Sequence, residues 1–449
     1  MNRSCALALP VMLLFCAACH ESVDPTVDRA PKVAALVRRL RSSDRERRQT
    51  AERVLDRSAN RRWNHVEALA LVAAAGLEYP VETEQIRASL LWAAEAAPEV
   101  AQVPALGTLL PRLHDGARDA AQAILADLDD AGAARLLLVS MEEDLRQPRS
   151  GAHVHVFTRL QRSPHQGAEY FPALVELARR GLDRSSVLLT ALQFLEKERM
   201  PAAAMDPLGR LALEAWSAEA RVLQPAQAAP APDWWDDAYS AHREDGAIIL
   251  DLLGYVPGPE PAVVLREALH SPDPRLVTFA LLSTLRRGEE APREAFERSA
   301  SSPETRLALW KGLRTLHREA AFPERWRNQT SFAEARMVEW LVHPAELGRA
   351  PDRLELMKVV TLERSGGDGP FDTYVFRFRS ARAAKDGWRA GVAGPFRRAD
   401  EPTIEDHGGT FSSFEPWEGR SPEAHAAAIR TLLESWWAER RKRDRATPK

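Results

Sequence analysis

Cysteine is scarce. The 449 residues hold three, Cys5, Cys16 and Cys19, all near the start. A disulfide framework through the body of the fold is therefore excluded, and so is thiol chemistry there. Neither sign of charge is in excess: 61 Lys and Arg stand against 64 Asp and Glu, a formal net charge of -3. That balance gives no electrostatic reason to place nucleic acid among the partners. No apolar run reaches the roughly 20 residues of a membrane span. Also missing are G-x-S-x-G, a P-loop, H-E-x-x-H and G-x-G-x-x-G. Their absence removes the enzymes those motifs mark and leaves no cofactor implied.

The remainder is an ordinary core-burying composition, 45% hydrophobic and 28% charged. It excludes a fully disordered chain, a collagen-like fibre and a polytopic membrane protein. The length suits two or three domains or one extended array.

The N-terminus reads as an export signal over 1–18. Arg3 supplies a positive charge, and Cys5 to Ala18 is apolar and uncharged. Such a run fits the core of a secretory signal peptide. Its end, Phe15-Cys16-Ala17-Ala18-Cys19, resembles the bacterial lipobox, in which two small residues precede a lipidated cysteine. Ala17, Ala18 and Cys19 match; Cys16 stands where the family has Leu, Val or Ile. The resemblance implies cleavage before Cys19 and a lipid on that residue. The mature chain would be held at the membrane by the anchor alone, with no transmembrane helix. Residues 19–30, with Pro25 and no periodicity, read as a tether.

From 31 to 345 the period is 3.6. Val33, Leu36, Val37 and Leu40 fall at i, i+3, i+4 and i+7, as do Ala121, Ile124, Leu125 and Leu128. Leu188, Ala191, Leu192 and Leu195 follow the same spacing, and so do Val277, Ala280, Leu281 and Thr284. Each set predicts one apolar stripe on a helix. The helices recur in pairs joined by short Ser/Asp/Pro turns, as in Leu36 to Leu55 and Leu265 to Leu285. Ser43, Asp273 and Ser302 are the expected N-caps, and Pro272 and Pro303 the expected helix boundaries. The cadence resembles bacterial HEAT repeats with a central Asp-x-x-Arg-x-x-Ala. Asp44, Arg47 and Ala51 fit best, with Ala51 one place late; Asp273 and Ala280 match at a second site, where Leu276 replaces the Arg. The resemblance implies a mainly α, HEAT-like α-solenoid. A Pro/Ala linker at 224–232 divides it into 31–223 and 233–345.

After Pro351 the pattern changes. Tyr374, Phe376 and Phe378 alternate with Val375, Arg377 and Arg379, predicting a half-buried strand. Leu354 and Leu356 begin another that runs to Leu362. Trp388, Ala390 and Val392 suggest a third, ended by Gly394-Pro395. Residues 422–443 read as a helix with Ala428, Leu432, Ser435 and Trp436 on one side. The stretch 351–443 is thus a small C-terminal α+β unit, followed by a basic tail at 444–449, and it suits a cap for the array.

Candidate chemistry is sparse. His153 and His155, with His165 beyond, would share a face on a strand and could hold a metal; on a helix they are split. Asp233-Trp234-Trp235-Asp236-Asp237 could form a ligand platform, but the acids equally suit a helix N-terminus and the tryptophans a packed core. The loop 401–419 gathers Glu405, Asp406, His407, Phe411, Phe414, Trp417 and Glu418. Asp406, His407 and Trp417 are its candidate ligand residues. The basic residues after Glu439 suit a helix C-terminus or anionic headgroups. These readings lead to a lipid-anchored scaffold of the bacterial envelope that binds an unidentified protein. The rival is an enzyme or ligand-binding module in the C-terminal unit.

Overall fold

The computed structural model describes residues 24–58, 63–80, 83–146, 153–162, 167–223, 234–363, 369–380, 387–400, 402, 404, 411–417, 419–428, 430–432 and 434–435. The chain is mainly helical, with a small antiparallel sheet at its C-terminal end. The described residues up to Thr190, with Arg199–Pro201, form one compact unit; Ala191–Glu198 and those from Ala202 onward form another.

The first unit contains α1 (Pro25–Asp28), α2 (Pro31–Leu40), α3 (Arg45–Ser58), α4 (His65–Ala75), α5 (Thr83–Ala94), α6 (Val103–Leu109), α7 (Asp115–Asp127), α8 (Ala131–Arg146), α9 (Val154–Arg162) and α10 (Ala173–Arg179). Local chemistry sets several starts. Asp24 accepts from Thr26 N and Val27 N, and Pro25 opens α1. Asn64 and Glu67 close a reciprocal capping box on α4, which satisfies two otherwise orphaned N–H groups. Val33, Leu36, Val37 and Leu40 are buried on α2, as the spacing predicts. α5, α7 and α9 pack side by side, while α8 lies against α7.

The second unit continues after α11 (Arg184–Glu196), through which the boundary between the units runs. Its helices are α12 (Ala202–Leu223), α13 (Asp237–Leu253), α14 (Pro259–Ala268), α15 (Pro274–Arg286), α16 (Arg293–Ser301), α17 (Pro303–Thr315) and α18 (Gln329–Val342). α12, α13, α15, α17 and α18 pack in succession, and α14 and α16 flank α15 and α17. α15 therefore meets α13, α14, α16 and α17. This explains one departure from the sequence pattern. A single stripe was expected on α15, yet Leu276, Thr278, Leu282 and Ser283 are buried beside Val277, Ala280, Leu281 and Thr284. A helix enclosed by four neighbours has little exposed face. α7, buried from Ala120 through Ala126, behaves alike.

Two expected caps are corrected. Asp273 caps α15, accepting from Arg275 N at 2.8 Å. At α3 the cap is Asp44 instead of Ser43, accepting from Glu46 N at 2.9 Å. Ser302 stands at the start of α17 but makes no side-chain cap bond. It also ends α16, and an arginine serves that junction, as described below. Pro303 opens α17, while Pro274 and not Pro272 opens α15.

The sheet has strand order β1 (Arg353–Glu363), β2 (Pro370–Arg379), β3 (Arg389–Arg397) and β4 (Phe411–Pro416), all antiparallel. Tyr374, Phe376, Phe378 and Phe396 pack on Ala333, Met337 and Leu341 of α18. The other face buries Val360, Val375, Ala390 and Val392 with Trp417 and Ala426. β2 was expected to be half-buried, but Phe371 through Phe376 are all buried because both faces are covered. β3 does not end at Gly394-Pro395 but runs to Arg397. The β2–β3 register slips between Asp372 and Tyr374, so the pair is absorbed as a bulge, and Gly394 supplies φ +106°. Residues 422–428 are helical. His425 and Ala426 make the buried contact, whereas Ala428, Leu432 and Ser435 are exposed and Trp436 lies outside the described residues. Only the first turns of this helix lie over the sheet.

Candidate functional site

A recurring arginine organises both units. The last carbonyls of a helix lack intrahelical partners, and here a guanidinium from a later helix takes them. Arg48 donates instead to two carbonyls of the turn between α2 and α3, Ser42 O and Ser43 O, at 2.7 and 2.8 Å. Arg87 donates to Ala75 O at 3.0 Å, and Arg118 to Leu110 O at 2.6 Å. Arg306 donates to Ala300 O and Ser301 O at 2.7 and 3.2 Å, tying the α16–α17 junction.

The same arginines reach forward. Arg118 bonds Asp144 at 2.7 Å and Ser140 O at 3.1 Å on α8. Gln122 and His153 bring 2.7 and 2.9 Å contacts to the same Asp144 carboxylate. Arg306 bonds Ser331 O and Glu334 on α18 at 2.6 and 2.8 Å. Burial lowers the Arg306 pKa, and Glu334 only partly opposes it.

Arg243 on α13 makes the most buried of these links. It holds Asp273 through bonds of 2.5 and 3.0 Å and Glu304 of α17 at 3.0 Å. Burial opposes its charge, but Asp273 and Glu304 outweigh burial and raise its pKa. Trp234 and Trp235 lie over the guanidinium, with ring centroids 5.7 and 5.1 Å away. Burial, with Asp273 nearby, pushes the Tyr239 hydroxyl up to about 12. Arg275 and Glu244 pair beside this link. Successive helices of the row are thus hooked together at sequence separations of 30 and 31.

Two clefts open along the flanking helices. One, of about 500 Å³, is bounded by Ala262, Arg266, Leu269, His270, Glu290 and Pro292 among others. The other, of about 560 Å³, includes Arg293, Phe296, Glu297, Phe322, Pro323 and Arg325. They occupy equivalent places: Ala262, Arg266 and Pro292 correspond, at the same 31-residue offset, to Arg293, Glu297 and Pro323. Each combines an apolar floor with charges of both signs. Such surfaces can seat a polypeptide side chain and its neighbours.

Some of the residues singled out from the sequence lie among the described residues and others do not. Cys19, Glu405, Asp406, His407 and His165 lie outside the described residues. Trp417 is 8% exposed and belongs to the core beneath the sheet. Its ring stacks on His425 with centroids 4.3 Å apart, and its backbone N–H donates to Trp388 O at 2.7 Å. It follows β4 directly, and its ring serves packing. His153 is buried on Asp144, whereas exposed His155 meets the edge of the Trp92 ring at 5.0 Å. Among the described residues no group of three potential ligands could hold a metal. Asp233 is outside the described residues; Asp236 caps α13 through Ala238 N at 3.1 Å, and Asp237 lies in its first turn.

The arginine links were only partly visible in the sequence. Arg47 is the motif residue by sequence spacing, but it is Arg48 that donates to the carbonyls of the turn between α2 and α3. Leu276 seemed to replace an arginine, yet Asp273 receives one from α13. Asp115-x-x-Arg118-x-x-Ala121 carries the full spacing and was the better signal.

The chain matches no protein-family model, no curated protein and no solved structure. No helix among the described residues is long and apolar enough to cross a membrane.

Proposed function

We propose that this chain is a lipid-anchored, HEAT-like helical-repeat scaffold of the bacterial cell envelope that binds another protein. The observation that carries the reading is the recurrence of equivalent clefts along α14 and α16. Repeat arrays work through extended surfaces of that kind. The arginine links support it, since they hold successive helices in fixed register and pre-organise the surface. The lipobox-like end at Cys19 supports the anchor, since a terminus that carries more than one acyl chain holds a protein at a membrane without a span. The C-terminal sheet, packed on α18, serves as the terminal cap that such arrays need.

The test has two parts. Metabolic labelling with a palmitate analogue should mark the wild-type chain and leave Cys19→Ser unmarked. Affinity capture from detergent-solubilised envelope should then retain a defined protein on the full chain. An unlabelled wild type would overturn the anchor; an empty capture would overturn the scaffold.

A further inference from the structure

At one end of the sheet two arginines face each other. Arg353 of β1 and Arg379 of β2 are direct cross-strand partners. Such partners share a face with Cβ atoms about 5 Å apart, and like charges so placed repel. The neighbouring charges do not relieve the pair. Glu355, the next position on that face, receives two bonds from Arg377, at 2.7 and 2.5 Å. Asp352 lies 3.9 Å from Arg349. Among the described residues neither Arg353 nor Arg379 has an acidic partner, and both are exposed.

One member of the pair, Arg379, is also held against an aromatic ring. Arg377 and Arg379 lie 4.3 and 5.4 Å from the Trp388 ring centroid. A guanidinium held against an aromatic face loses little freedom when it forms further bonds. Two arginines at directly paired positions, with no acidic partner among the described residues, suit an oxyanion that accepts from both, and a phosphate group supplies enough charge and enough acceptors.

We infer that Arg353 and Arg379, backed by Trp388, form a binding site for a phosphate-class anion. The group can come from a soluble phosphate or from a phospholipid headgroup. The site is separate from the clefts and does not depend on the protein-binding reading.

The experiment uses the purified full chain in low-salt, phosphate-free buffer, with two probes. Inorganic phosphate is titrated calorimetrically. Binding to phosphatidylglycerol vesicles is measured against phosphatidylcholine vesicles, the excess being the readout. The test variant is R353Q/R379Q; the charge-matched control is R45Q/R53Q on α3, with circular dichroism confirming that both fold. Saturable binding in either arm, weakened at least about 10-fold in the test variant only, is the expected result. The phosphate arm assigns a soluble ligand, and an effect in vesicles alone assigns a headgroup. Binding in neither arm, binding unchanged in R353Q/R379Q, or an equal loss in the control overturns the proposal.

Discussion

Arg243 on α13 and Asp273 at the start of α15 are 30 residues apart and share two hydrogen bonds, with side chains 2% and 0% exposed. Asp273 also caps its own helix. One carboxylate therefore sets where α15 begins and where α13 lies against it.

Arg243→Leu should destabilise the protein by about 3–5 kcal/mol, because it strands the Asp273 charge in the interior. Adding Asp273→Asn removes that charge and should recover part of the loss. Urea unfolding of the single and double variants checks this. A single variant within about 1 kcal/mol of wild type would contradict the link's importance.

Close helix packing gives a second expectation. A Cβ at Gly312 of α17 would stand 2.6 Å from Leu282 Cδ2 of α15, itself buried. Alanine normally favours a helix over glycine by about 1 kcal/mol. Here Gly312→Ala should instead cost about 1–3 kcal/mol, and Leu282→Ala in the same chain should make the alanine tolerable. Thermal melts of Gly312→Ala, Leu282→Ala and the double variant measure the coupling.

How much of this was legible in the sequence depends on the distance over which each contact acts. The period of 3.6 located the helices, and alternation at Tyr374, Phe376 and Phe378 located β2. Strand ends were misjudged where a bulge absorbs Gly394-Pro395, since only a partner strand can show that. The arginine links join residues about 30 apart, so a motif confined to seven positions catches Arg118 and misses Arg243. Trp417 is a sequence candidate because aromatics and a histidine gather in 401–419; its ring contact with His425, beyond that stretch, puts Trp417 itself in packing, while Asp406 and His407 lie outside the described residues.

Trp417→Ala follows from that contact. Removing the ring should cost about 3–5 kcal/mol and lower the melting temperature, as a buried core residue does. A variant of wild-type stability would mean that the ring is dispensable to the sheet.

Glu95, which follows α5, gives a pH signature. Burial raises its pKa above the model-peptide value of 4.5, Arg159 opposing and Asp127 adding to the rise. A carboxyl raised in the folded state contributes stability that is present below its unfolded value and lost as pH climbs through the folded one. Wild-type stability should therefore fall, relative to Glu95→Gln, as pH rises above 4.5. Melting both chains from pH 4 to pH 7 reads the difference. Wild-type stability that rises relative to Glu95→Gln over this range would reverse the assignment.

The central claim is that the paired clefts recruit a protein. It is tested most directly by quantitative affinity capture from solubilised envelope with three full-length chains: wild type, Arg266→Glu/Arg293→Glu, and the sheet variant R353Q/R379Q. The two reversed charges lie one in each cleft and are exposed, so the fold should hold. The account predicts a defined protein retained by wild type and by the sheet variant and lost from the cleft variant. Equal capture by all three chains, or loss only from the sheet variant, would contradict it.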